Sequence, residues 1–139
     1  MNGIETNSHK ILHRDSKDIL VVLKCPNASP RRSVNDSTHR VKSMMTFVNK
    51  PKYTAINACK EPNGKSINPE LLRGEVAPFI GKKIIAFGEF ADTALSAVLG
   101  LTRGEDYITI PHPSPQSPKW NKLKDRIEYA EQITEYLES

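Results

Sequence analysis

Asp18-Ile19-Leu20-Val21-Val22-Leu23-Lys24 is the stretch that decides the fold. Its apolar residues run on without a polar interruption and several are β-branched, so no side is left for water. That pattern predicts a strand buried between two layers. Similar short runs recur at Tyr53 to Asn57 (YTAIN), Lys83 to Phe87 (KIIAF) and Asp106 to Ile110 (DYITI). Helical segments separate them. Ser37 or Thr38 can cap a helix carrying Val41, Met44, Met45 and Val48 on one face. Asn68 followed by Pro69 opens a second, with Leu71, Leu72 and Val76 behind it. A third is expected from about Glu89 to Leu99, with Gly100 as its left-handed cap. The last occupies the C-terminus, where Leu123, Ile127, Ala130, Ile133 or Thr134, and Leu137 recur at helical steps and should face the sheet. Strand and helix alternate four times, which predicts an α/β three-layer sandwich: a small four-stranded parallel sheet flanked by helices.

The chain has 139 residues, too few for two cores, so one domain is expected. Residues 1–17 are polar and aperiodic and read as a flexible lead-in to a domain at 18–139. Twenty Lys and Arg against sixteen Asp and Glu leave a formal charge of +4, a mildly basic balance that permits a polyanionic partner. No apolar run approaches the ~18 residues that span a bilayer, and MNGIETNSHK lacks the apolar stretch of a signal peptide. A cytoplasmic protein without a membrane partner is the expectation. Cys25 and Cys59 are too few for a disulfide framework. With His112 they lack the spacing of a zinc motif, so neither a metal nor a cofactor is expected.

In parallel sheets ligands bind beyond the carboxyl ends of the strands, so the loops there carry the candidates. After the first strand come Cys25, Pro26, Asn27, Ser29, Arg31, Arg32 and Asp36, then Thr38 and Arg40. Capping explains Asp36 to Thr38 as well as function does, but it leaves Arg31 and Arg32 unexplained. An anion at the helix N-terminus accounts for both. The second strand ends at Asn57, whose amide offers a paired donor and acceptor suited to a nucleobase edge. The third ends at Gly88, and Glu89 and Asp92 read as ordinary charges at a helix start. The fourth delivers Pro111 to Pro118 (PHPSPQSP), where four prolines stiffen the backbone around His112, Ser114, Gln116 and Ser117.

His112-Pro113-Ser114-Pro115 with Gln116-Ser117 is similar to the second active-site motif of the uracil-DNA glycosylase superfamily, which also follows the last strand. Tyr53 to Asn57 resembles the strand that presents that superfamily's base-reading Asn. The likeness runs from about Asp18 to Leu137. The chain also resembles a family of short bacterial and phage proteins with an Asn-Pro-Ser and an Asp-Asp-x-Thr pattern, met here by Asn27, Ser29, Asp36 and Thr38.

The resemblance implies a DNA-binding, base-recognising protein that excises a pyrimidine, ordinary or modified, by N-glycosidic hydrolysis, as in DNA repair. On that likeness His112 donates to a pyrimidine carbonyl, and Asn27 or Asp36 positions water. Asn57, Cys25 and Pro26 line the base pocket. Ser29, Arg31, Arg32, Arg40, Ser114, Gln116 and Ser117 hold the DNA, with Lys119 and Lys122 adding to the positive field. The sequence departs from the pattern at two places. Cys25 stands where the best-known glycosylases have a water-orienting Asp, and Gln116 stands where a Leu commonly wedges into the stack. A second function class therefore stays open: a non-catalytic module that binds DNA or a nucleotide and lacks the water-activating carboxylate.

Overall fold

The computed structural model describes residues 13–14, 17–24, 37–59, 66–113 and 118–139. Four parallel strands form the body of one sheet: β2 (Ile19–Leu23), β3 (Thr54–Asn57), β4 (Lys83–Phe87) and β5 (Ile108–Ile110). A two-residue strand, β1 (His13–Arg14), is antiparallel to β3 at the edge, giving the order β1-β3-β2-β4-β5. The segment expected as a lead-in thus contributes an edge strand, which shields part of the open side of β3.

Four α-helices lie among the described residues: α1 (Ser37–Phe47), α2 (Pro69–Val76), α3 (Glu89–Thr93) and α4 (Leu123–Glu138). Asn68 caps α2 as its sequence demands, its Oδ1 accepting from the Leu71 N–H at 3.1 Å with Pro69 behind it. Alternation along each strand sorts the core into two halves. Val21, Leu23, Ile85, Phe87 and Ile110 pack against Met44, Met45 and Ile133, which places α1 and α4 on one face. Leu20, Val22, Ile84 and Ala86 pack against Leu72, Val76, Ala94 and Leu95, which places α2 and α3 on the other. The central strand β2 is buried on both faces, as its unbroken apolar run requires. These are the three layers that the alternation of elements predicts.

The structure departs from expectation in three elements. The third helix keeps α geometry only to Thr93 and continues as a π-helical turn over Ala94–Val98, before Gly100 (φ 77°) closes it in the left-handed conformation expected there. β5 begins at Ile108 rather than Asp106, because the Asp106 carboxylate turns back to accept the Thr102 N–H at 2.7 Å. On α4 the core face is Tyr129, Ala130 and Ile133, whereas Leu123 and Ile127, expected against the sheet, are exposed. No described helix is long and apolar enough to cross a membrane.

Candidate functional site

After β2 the chain passes to α1 on one face, and after β4 it passes to α3 on the other. Adjacent parallel strands whose successors part to opposite faces leave a crevice at their carboxyl ends. Lys24 and Gly88 close the two strand ends beside it. The register Leu23↔Asn57 and Phe87↔Ile110 brings Asn57, Gly88 and the residues after Ile110 to the same rim.

Gly88 has φ 98°, a conformation that side-chain-bearing residues rarely adopt, and its N–H donates to the Ile110 carbonyl at 2.8 Å. A Cβ on Gly88 would lie 2.9 Å from the His112 Cβ, so the missing side chain is the space in which His112 rests. Burial, and then the positive charge of Lys24, hold the His112 pKa below its ordinary value of 6.5. The imidazole is therefore neutral at pH 7, with one ring N–H to donate. The Lys24 ammonium sits 5.7 Å from the centre of the Phe90 ring, a cation–π contact along the same crevice.

Trp120 supports the histidine loop from behind. Its Nε1 donates to the Pro111 carbonyl at 2.6 Å, and its indole packs 6.1 Å from Phe87 and 5.6 Å from Tyr129, centroid to centroid. Its own carbonyl accepts from Arg126 at 3.1 Å. Arg40, on the first turn of α1, donates to Asn121 Oδ1 at 3.3 Å and so ties α1 to the same turn.

Asn57 ends β3 with only 2 % of its surface exposed. The strand pairing continues past it, the Ala58 and Cys59 N–H groups donating to the Leu23 and Lys24 carbonyls at 2.7 Å each. Its side chain is buried, and Nδ2 has no hydrogen-bond partner. Among the described residues it is the one buried side-chain nitrogen or oxygen in that condition. Leaving a buried donor unpaired costs about 1–3 kcal/mol, and native structures rarely carry such a group without a reason.

The structure thus gathers His112, Asn57, Gly88 and Arg40 at or beside one rim, and adds Lys24, Phe90 and Trp120, which the sequence reading passed over. Lys24 could have been found as the residue that ends a buried strand at the ligand edge, and Trp120 as the single tryptophan after a proline-rich loop. Lys122 is exposed at the start of α4. Cys25, Pro26, Asn27, Ser29, Arg31, Arg32, Asp36, Ser114, Gln116, Ser117 and the Lys119 side chain lie outside the described residues.

Asp92 needs a correction. It is no ordinary helix-start charge but a buried carboxylate between α3 and β5. Tyr107 Oη donates to Oδ1 at 2.6 Å, Thr109 Oγ1 donates to Oδ2 at 2.7 Å, and Arg103 Nη1 lies 3.0 Å from Oδ2. Burial alone would raise its pKa. The hydrogen bonds from Tyr107 and Thr109, then the charge of Arg103, outweigh burial and hold it below 3.8. In DYITI, Tyr107 and Thr109 sit two apart on one side of a strand, which shows that their hydroxyls need an acceptor but not that Asp92 supplies it. No protein-family model matches the chain, and no curated protein matches its sequence.

Proposed function

We propose that the chain is a DNA-binding, base-recognising protein of the uracil-DNA glycosylase type, which excises a pyrimidine by N-glycosidic hydrolysis. The observation that carries this reading is the unpaired, buried Nδ2 of Asn57 at the ligand edge of a parallel sheet. A donor held there at a cost in stability is accounted for by an acceptor that arrives with the ligand, and a carbonyl on a base edge is such an acceptor. The neutral His112 supports the same reading from the other side of the crevice. His112 rests against the end of β4, two strands from β3, on the same rim as Asn57.

In the chemistry proposed, the bond between C1′ of the sugar and N1 of the base breaks and its electron pair passes to the base. Negative charge then collects on a ring carbonyl. The His112 N–H strengthens its hydrogen bond to that carbonyl as the charge grows, which lowers the barrier without a proton having to move. Water adds to C1′, and the proton it gives up passes through solvent to the departing base, which ends neutral. Asn27 and Asp36 are the candidates for orienting that water. Cys25, in the place of the usual carboxylate, favours a second reading in which the pocket binds DNA or a nucleotide and does not cut.

Oligonucleotides bearing uracil, modified pyrimidines or ordinary bases, assayed for free base and abasic sites, separate the two. Excision should fall ~10²- to 10³-fold in His112→Ala with little change in binding. Asn57→Ala should instead lose discrimination between bases. Binding without release of any base, weakened equally by both substitutions, would establish the second reading. Wild-type excision by His112→Ala would defeat the assignment of that residue.

A further inference from the structure

Among the described residues, three of the four large apolar side chains that stand exposed lie on the outer face of α1 and α4. Both helices run from the rim toward the far edge of the sheet, where Lys83 Nζ donates to the Ser139 carbonyl at 3.0 Å and fixes the end of α4. The seam between them is a groove with two consecutive cavities, of about 460 and 480 Å³. Phe47 and Ile127 line both cavities and so mark its middle. With Leu123 they expose large apolar side chains: 70 % for Phe47, 64 % for Leu123 and 44 % for Ile127.

The two ends carry opposite charge. Arg40 and Arg126 line the rim half, and Glu131, Glu135 and Glu138 line the far half. The glutamate row repels a nucleic-acid backbone or an anionic membrane running along the groove. A second copy of the chain has no such conflict. A two-fold axis through Phe47 and Ile127 sets the basic half of each copy against the acidic half of the other, and the apolar side chains meet at the centre. We infer that the α1–α4 face is the self-complementary interface of a homodimer, which takes in Arg40 and leaves His112 and Asn57 of each subunit outside it.

Sedimentation velocity over a wide range of protein concentration tests this. The wild type should pass from monomer to dimer as concentration rises, and the dimer should weaken as salt screens the paired ends. Phe47 is 70 % exposed in the monomer, so Phe47→Asp should change the monomer's stability little and should weaken association more than about tenfold. The variant Glu131→Lys/Glu135→Lys/Glu138→Lys is basic along the whole groove, and Arg40→Glu/Arg126→Glu is acidic along it. Each alone should stay monomeric, and an equimolar mixture should dimerise. A wild type that is monomeric throughout at low salt would overturn the inference. So would a dimer that persists in Phe47→Asp, or a failure of the two charge-reversed variants to pair while both retain wild-type circular dichroism. Loss of oligonucleotide affinity in Phe47→Asp on a monomeric background would assign the groove to DNA instead.

Discussion

Gly88 is under two constraints at once, the backbone's and its neighbour's. Its φ of 98° is strained for any L side chain, and the Cβ position is already taken by His112. Gly88→Ala should cost roughly 1–3 kcal/mol in denaturant unfolding and should also push His112 off the rim, so binding falls by more than the stability loss explains. His112 itself gives a pH signature. Its folded pKa lies below the unfolded value, so the unfolded chain takes up the proton first as pH falls. Stability that is complete above about pH 7 should decline from near pH 6.5 downward, and His112→Gln should flatten that part of the profile. Asp92 acts lower on the scale. It stays ionised below its unfolded pKa, so its contribution is present above about pH 4 and is lost as pH falls through the folded value. Asp92→Ala leaves Tyr107 and Thr109 without their acceptor and should cost about 2–4 kcal/mol, measured by urea unfolding at neutral pH.

Among the elements, α4 shows why a helical repeat is weaker evidence than a buried strand. Leu123, Ile127, Ala130, Ile133 and Leu137 all fit a three- and four-residue repeat, but only Ala130 and Ile133 of that set reach full burial. Ile133→Ala should destabilise by about 2–5 kcal/mol, whereas Leu123→Lys should stay within about 0.5 kcal/mol of wild type; thermal melts of the two will tell. The strands were legible because DILVVLK can satisfy its apolar side chains in one way only, between two layers. Their carboxyl ends followed from that, and with them Asn57, Gly88 and His112. Contacts between elements distant in the chain were not legible. Nothing local in Ala91-Asp92-Thr93 reveals that Tyr107 and Thr109 will lie beside the carboxylate, and nothing near Trp120 reveals that its indole will hold the Pro111 carbonyl. The π-helical turn after Thr93 is likewise invisible in ALSAV, whose residues suit an α-helix.

At the scale of the whole molecule, charge and topology act together. The sequence carries a formal +4, an excess of cations over the whole chain. Oligonucleotide affinity should therefore fall with rising salt, and Arg31→Ala/Arg32→Ala should flatten the slope of log affinity against log salt in fluorescence titrations. The strand order has a further bearing on how the protein is made. β2 is the innermost strand but among the first to be synthesised, and its second neighbour, β4, begins only at Lys83. At ~5–20 residues per second the ribosome leaves that apolar run without its full set of partners for several seconds. Lys17, Asp18 and Lys24, the charges that bracket it, then serve as gatekeepers against pairing between nascent chains. Neutralising them should show up first as poor yield from the cell, before any loss in the stability of the finished fold.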